Sequence, residues 1–321
     1  KNILTTLVQR LKPVEDFKSM NMDYSSHLFN STEGKTLKSL LYYSLRRSRN
    51  IKPEGDFLKW EQEIKDLLGE ALKKGIIDVY TLTGLYFEQF YYLDKGWITT
   101  KIKTFYDLEE DKWCAFLGGF VLGKPPFNKD TYLLFYPHYE RAINGAIQAG
   151  KNHHNRRLVR HISTCYLWGF EDLEGESLTL KLLNKGEYAR VLELTYFICS
   201  QKKYFGKLGE EESKKFEIKA FNLWSCLADK YHETVVKEEK EILASLLGFL
   251  GFASEINEIN MKLVLQSIPT LSNYRHFFNL LKNLVELKSR GDINKTAKHI
   301  GKVLNLVPFD SYISANENKD I

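Results

Sequence analysis

The chain has 321 residues, of which 43% are hydrophobic and 13% aromatic, and its 46 lysines and arginines against 41 aspartates and glutamates leave a net charge of +5. This composition excludes an intrinsically disordered chain, because such chains lack the apolar and aromatic side chains that bury a core. A charge of +5 permits contact with nucleic acid but does not indicate it, because the acidic residues nearly balance the basic ones.

Apolar residues recur with the helical spacing i, i+3, i+4 and i+7 along most of the chain. Prolines and glycines mostly fall between these periodic segments, and glycine repeatedly follows a lysine-rich last turn, as at Lys185 and Gly186. Clean strand-like alternation is hard to find. The pattern predicts helices near residues 2–12, 35–49, 56–74, 77–94, 97–107, 110–122, 129–149 (bent at Pro137), 155–169, 176–185, 187–204, 210–230, 237–250, 256–267, 271–290 and 292–306.

The connections between these predicted helices are short, which makes sequential helices antiparallel neighbours. Because so many short helix pairs do not fit one bundle, we expect an all-α fold, an α-solenoid of degenerate HEAT- or TPR-like antiparallel helix pairs. N-terminal repeats are expected in residues 1–123 and C-terminal repeats, continuing the same solenoid, in residues 124–308. Residues 309–321 are polar and are expected to form a disordered tail.

The cysteines and the ends of the chain bear on the cellular compartment. Cys114, Cys165, Cys199 and Cys226 form no CxxC pair, and their apolar neighbours favour buried free thiols in a reducing environment. The sequence has neither a signal peptide nor a long uncharged apolar run. We therefore expect a soluble, cytoplasmic protein without a membrane partner. Because the chain begins at Lys1, we also expect it to be a piece of a longer protein.

Two segments partly match the phosphate-binding loop G-x4-G-K-[ST]. Residues 118–124 have the glycine and lysine spacing, but Pro125 stands where a serine or threonine would bind magnesium. Residues 34–36 spell Gly-Lys-Thr, but Phe29 stands where the first glycine is required. Neither segment follows an apolar strand. We therefore predict a helix end at 123 and a helix start near 36, and no nucleotide cofactor.

Metal and catalytic patterns are incomplete in the same way. His161 and Cys165 share a helix face, but a structural zinc site needs four ligands and a catalytic one three. Glu217 and Lys219 match part of a nuclease motif without a preceding strand carboxylate, and His232 lacks the second histidine of HExxH. We expect no catalytic constellation in this chain and no metal or other cofactor.

Two basic clusters, residues 46–52 and residues 151–161, are candidates for binding. The first complements the negative end of a predicted helix. In the second, Arg156, Arg157 and Arg160 lie on one side of a turn, where they suit a phosphate or an acidic protein surface. A solvated loop, a protein-binding patch and a nucleic-acid contact all remain open for this cluster.

Aromatic residues are concentrated at 86–92 and again at 133–139. A helix in a two-layer array buries about half of its circumference, so some of these rings are expected to be exposed, as in protein-recognition surfaces. A thick aromatic core between layers is the alternative. We place the predicted contact surface on Tyr86, Phe90 and Tyr91, together with the three arginines of the second basic cluster.

A series of aromatic and glycine positions over roughly residues 80–290 resembles the C-terminal helical region of large bacterial antiphage defence proteins. These are the STAND-type, NLR-like ATPases of the Avs group and their relatives. The resemblance is carried by Leu85, Phe87, Phe90, Leu93, Asp94, Trp97 and Ile98, then Trp113, Ala115, Phe116, Gly119 and Phe120, then Arg160, His161, Tyr166, Trp168, Gly169, Phe170 and Leu173, and finally Phe221, Leu223, Trp224 and Leu227.

The resemblance implies a sensor role. In that family, the helical array binds a phage structural or packaging protein, and binding triggers assembly of the ATPase and activation of an effector. The present chain carries no ATPase or effector motif, so the resemblance implies that those parts lie elsewhere in a longer, oligomerising protein. The alternative expectation is a helical-repeat domain that binds nucleic acid through its arginine clusters.

Overall fold

A computed structural model describes residues 23–50, 59–145, 152–205, 207–268 and 274–288, with the isolated positions 6, 10–13, 298 and 301. Within these ranges the regular structure is helical and no strand occurs, which confirms the all-α prediction. The tail 309–321 lies outside the described residues, as do the helices predicted near 2–12 and 292–306 apart from those isolated positions. The solenoid arrangement stays a prediction.

The chain divides into two compact units, residues 1–161 and 162–321. The boundary predicted at 123/124 falls within the first unit, and it stays a prediction. The first unit contains α1 (Tyr24–Asn30), α2 (Thr32–Asn50), α3 (Gln62–Lys73), α4 (Ile77–Leu85), α5 (Phe87–Leu93), α6 (Lys95–Phe105), α7 (Glu110–Leu122), α8 (Lys129–Asn144) and the start of α9 (Asn152–Leu167).

The second unit follows from the end of α9 and is organised around long amphipathic helices. Its elements are α10 (Leu178–Lys185), α11 (Tyr188–Ser200), α12 (Lys202–Phe205), α13 (Glu210–Tyr231), α14 (Lys237–Leu246) with a following 3-10 turn (Leu247–Phe252), α15 (Glu258–Ser267) and α16 (Tyr274–Lys288). Leu223, Trp224 and Leu227 of α13 are fully buried, as their spacing predicts. The indole N–H of Trp224 donates to Ser267 Oγ over 3.0 Å, which joins α13 to α15.

A close crossing between α4 and α7 forms the centre of the first unit. A Cβ added to Gly84 would lie 2.1 Å from the Phe116 carbonyl oxygen, and one added to Gly119 would lie 2.2 Å from the Thr81 carbonyl oxygen. Only glycine permits backbones to approach so closely. Gly119, which belongs to the segment that partly matches a phosphate-binding loop, therefore serves helix packing, and the segment lies inside a helix that ends at Leu122 as predicted.

One helix predicted at 77–94 is divided in the structure. Tyr86 leaves the helical conformation, with φ −107° and ψ 30°, and separates α4 from α5. Tyr86 thus lies at the junction of α4 and α5, beside the candidate site.

Candidate functional site

Phe90 was predicted to belong to the contact surface, but it lies in the core. Its side chain is 0% exposed. Its ring centroid lies 5.7 Å from that of Trp60 and 5.8 Å from that of Trp97. The prediction that this ring is available to a partner is therefore corrected: the ring packs between Trp60, which precedes α3, and Trp97 of α6, where burial of a phenyl ring stabilises the fold.

Tyr86 is half-buried at the corner between α4 and α5. Its hydroxyl forms a hydrogen bond of 3.0 Å with the hydroxyl of Tyr42, and the two rings meet edge to face with centroids 6.0 Å apart. Burial, followed by the hydrogen bond with Tyr42, raises the pKa of Tyr86 above its usual value. The Tyr86 hydroxyl is therefore neutral at physiological pH, and it lies beside the hydroxyl of the exposed Tyr42.

Two clefts open on either side of Tyr86. The first has a volume of about 370 Å³ and is lined mainly by apolar groups, including Phe29, Leu85, Phe87 and Leu122. Phe29, at the end of α1, is 43% exposed. Glu88 and Lys124 also line this cleft and pair with each other at 3.4 Å, so their charges cancel. This cleft suits an apolar side chain.

The second cleft has a volume of about 660 Å³, and its lining is basic. It is lined by Ser39, Tyr42, Tyr43, Leu45, Arg46, Arg49, Tyr86 and Gln89. Among these lining residues none is a carboxylate. Arg46 and Arg49 are both exposed, and within the described part of the chain neither is held in an ion pair, whereas Arg47 pairs with Glu61. The cleft therefore presents two uncompensated guanidinium groups.

The amphipathic pattern of α2 explains how these groups come together. Leu37, Leu41 and Leu45 form its buried side. Tyr42, Arg46 and Arg49 follow the i, i+4, i+7 rule, so that they share a second face of the helix. The sequence offered the two arginines, as part of the 46–52 cluster, either for binding or for charge compensation at a helix end. The spacing of Tyr42 relative to them is the signal that identifies the face.

We call the residues that line the two clefts the Tyr86 surface, since Tyr86 and Gln89 line both. Lys38 adds a positive charge near the first cleft. Its Nζ lies 4.7 Å from the Phe29 ring centroid and 6.0 Å from that of Tyr42. Exposed aromatic rings and cations thus alternate along this surface. An acidic or phosphorylated ligand with an apolar group matches it in charge and shape.

The other residues of the predicted surface have different environments. Tyr91 is half-buried, with its ring centroid 5.5 Å from that of Phe87 and 5.4 Å from that of Phe127. Lys95 Nζ lies 5.3 Å from the centroid of the Tyr91 ring, whose other ring contacts are to phenylalanines. Tyr91 is not among the residues that line either cleft, and its main role in the structure is packing between α5 and the loop before α8.

The three arginines of α9 lie in the first unit. Arg156 and Arg160 are exposed, and Arg157 is half-buried. Arg157 Nη1 donates to the carbonyl oxygen of Leu122 over 3.3 Å, and Leu122 lines the first cleft. All three side chains take part in interactions within the chain. Arg157 therefore supports the end of α7 at the Tyr86 surface.

The residues considered for catalysis have structural partners. Lys219 Nζ donates to the Glu171 carbonyl oxygen and to Asp172, and Glu217 accepts from the Ser254 backbone N–H over 3.1 Å. These contacts join α13 to neighbouring loops. Over the described residues, no group of three or more His, Cys, Asp and Glu is arranged to hold a metal ion. Burial raises the pKa of the Cys114 thiol to about 12.

A buried cluster that the sequence did not predict joins α1 and α4. His27 Nδ1 forms a hydrogen bond of 2.9 Å with Asp78 Oδ1, and Ser31 Oγ donates to Asp78 Oδ2 over 3.1 Å. Burial raises the pKa of the Asp78 carboxyl despite these hydrogen bonds. A catalytic triad needs the serine to donate to the histidine. Because Ser31 donates to the carboxylate, the cluster holds helices together and does not activate a nucleophile.

Two further findings complete the description of the site. Among the helices that the structure describes, none has the length and apolar character needed to cross a membrane. Comparison of the chain with models of known protein families, with curated proteins and with solved structures finds no significant match in any of the three.

Proposed function

We propose that this chain is the protein-recognition, or sensor, region of a bacterial antiviral defence protein, in which binding of a phage protein triggers an effector located elsewhere in the full-length chain. The observation that supports recognition is the Tyr86 surface, where exposed Tyr42 lines one cleft with Arg46 and Arg49 and exposed Phe29 lines the other. Aromatic residues and arginines supply most of the binding energy in protein interfaces. The antiviral context comes from the aromatic and glycine pattern described above.

The proposal gives this chain a binding role and no chemical step. It requires neither a metal nor another cofactor, and it places the protein in the cytoplasm, where phage proteins are made. Oligomerisation belongs to the full-length protein, which would assemble once its sensor is occupied. The helical units supply a rigid support for the surface, since residues on packed helices are better preorganised for binding than residues on loops.

A nucleic-acid-binding helical domain is the second candidate function. The exposed arginines beside Tyr42 support it, because single strands bind through cations that contact phosphates and rings that stack on bases. Such binding would weaken steeply as salt is raised, through the release of counterions. The apolar lining of the first cleft and the presence of Glu88 there favour a protein partner.

A capture experiment tests the proposal. The purified chain would serve as bait in lysates of phage-infected and uninfected bacteria, each with and without nuclease. A parallel bait would carry Phe29→Ser and Tyr42→Ser, which remove exposed apolar groups from the Tyr86 surface. The control bait would carry Leu133→Ser and Tyr204→Ser, which remove comparably exposed groups elsewhere.

We expect one phage protein to be retained after nuclease treatment, to be absent from uninfected lysate, and to be lost only from the Phe29→Ser, Tyr42→Ser bait. Retention that is unaffected by this double variant would refute the role of the Tyr86 surface. Recovery of nucleic acid alone, released at moderate salt, would replace the proposal with the second candidate function.

A further inference from the structure

We infer that the Tyr86 surface binds an acidic peptide segment that carries an apolar side chain, with the carboxylates at Arg46 and Arg49 and the apolar side chain in the cleft beside Phe29. This inference rests on the proposed function and specifies the chemistry of the partner. It combines the two clefts into one site, because Tyr86 and Gln89 belong to both.

The positive charge of the second cleft favours an anionic ligand. Arg46 and Arg49 are three residues apart on one helix face, which separates them by about 4.5 Å along the axis. Each guanidinium is able to bind a carboxylate through two parallel hydrogen bonds. The hydroxyls of Tyr42 and Tyr86 and the amide of Gln89 add neutral donors on the same cleft wall. No described carboxylate in the lining competes with a ligand for these donors.

The size and the apolar lining of the first cleft favour binding of an apolar group. Its volume of about 370 Å³ exceeds the roughly 150 Å³ in which a protein cavity holds a benzene molecule. Phe29, Phe87 and Leu122 supply apolar walls, and Phe29 is exposed in the absence of a ligand. A phenyl or indole group inserted here would bury apolar surface on both partners, which is the main source of binding free energy at such sites.

The arrangement of charge favours a peptide over a nucleic acid. A single strand that passed from one cleft to the other would bring a phosphate toward Glu88, whose carboxylate already neutralises Lys124. Stretches of single-stranded nucleic acid bind where cations follow the backbone continuously. On the Tyr86 surface, the uncompensated arginines lie on one side and an apolar cleft on the other, which matches a segment with separate acidic and apolar parts.

Fluorescence anisotropy on the full chain tests the inference. The probe is a short labelled peptide with one tryptophan followed by a run of glutamates. Companion peptides replace the tryptophan with serine or the glutamates with glutamines, and a labelled oligothymidylate represents nucleic acid. The protein variants are Arg46→Ala with Arg49→Ala, Phe29→Ser alone, and the control Lys207→Ala with Lys214→Ala. The control removes the same charge from exposed positions of the second unit.

We expect the Arg46→Ala, Arg49→Ala variant to bind the probe at least about tenfold more weakly than the unmodified chain, because it loses charge-assisted contacts. Phe29→Ser should weaken binding of the tryptophan peptide but leave binding of the serine peptide unchanged. The lysine control should bind as the unmodified chain does. Circular dichroism and thermal unfolding would establish that each variant is folded.

Three results would overturn the inference: equal binding of the glutamate and glutamine peptides, equal binding by the arginine variant, or oligothymidylate that binds more tightly and displaces the peptide. The capture experiment separates this failure from failure of the proposed function. If the arginine variant still retains the phage protein, the inference is wrong while the recognition role stands. If the peptide binds as expected but no phage protein is captured, the chemistry of the site stands and the antiviral role is wrong.

Discussion

Lowering the pH should destabilise the first unit, because two buried histidines are held in their neutral form. His138 Nδ1 accepts from the Trp113 indole N–H over 3.1 Å, and its Nε2 donates to the Ile102 carbonyl oxygen over 3.0 Å. His161 Nδ1 forms a hydrogen bond of 3.0 Å with the hydroxyl of Tyr139. Burial lowers the pKa of each imidazole from 6.5 to about 4.

The size and sign of the effect follow from these pKa values. A difference of 6.5 − 4, at about 1.36 kcal/mol per unit, gives about 3 kcal/mol for each histidine. Since the folded pKa lies below the unfolded one, the unfolded chain takes up protons first as the pH falls. The free energy of unfolding is therefore highest above about pH 6.5, decreases between 6.5 and 4, and levels off below. The combined contribution of the two histidines is comparable with the whole unfolding free energy of a typical domain.

Urea unfolding at a series of pH values would measure this decrease. The informative variant is His138→Gln, because glutamine offers both a donor and an acceptor but does not titrate between pH 4 and 7. It should reduce the dependence of unfolding free energy on pH by about 3 kcal/mol over this interval. The matched control is His232→Gln, at an exposed position. An identical pH dependence in the unmodified chain and the His138→Gln variant would contradict the reasoning.

Three further substitutions test the packing of the two units by urea denaturation. Gly119→Ala should destabilise the first unit by about 1–3 kcal/mol, since its methyl group meets backbone that cannot move away, whereas Gly69→Ala, with no neighbouring atom within 4 Å, should not. Glu171→Gln should cost about 1–3 kcal/mol, because this buried carboxylate accepts two backbone N–H groups at the start of α10. Trp224→Phe should cost about 1 kcal/mol or more through the serine hydroxyl left without its indole donor. Unchanged urea midpoints would show that these contacts do not contribute as described.

Much of the helical structure could be predicted from local sequence. Gly186 follows a lysine-rich turn and adopts the left-handed conformation, with φ 69°, as its position after the last turn of α10 predicts. The buried stripe of α13 also follows from its spacing. Tyr86 could not be predicted as a break between helices, because it is not a glycine or proline and its conformation depends on the helices around it.

The candidate site was only partly predictable. Tyr86 was identified from the density of aromatic residues, but the same reasoning selected Phe90, which is buried against Trp60 and Trp97. Sequence periodicity identifies faces of helices without showing which other helix covers each face. Arg46 and Arg49 were open to either a binding role or charge compensation at a helix end, and the cleft that they share with Tyr86 favours binding.

By itself the sequence determined that the chain forms helices with short connections, because helical periodicity, capping residues and glycine positions act over a few neighbouring residues. The tertiary structure alone decided which aromatic rings form the core and which border the clefts. Tyr42 and Tyr86 are 44 positions apart, and their hydroxyls meet because α2 lies beside the junction of α4 and α5. Burial and charge at a surface depend on such contacts between distant segments, which no local pattern records.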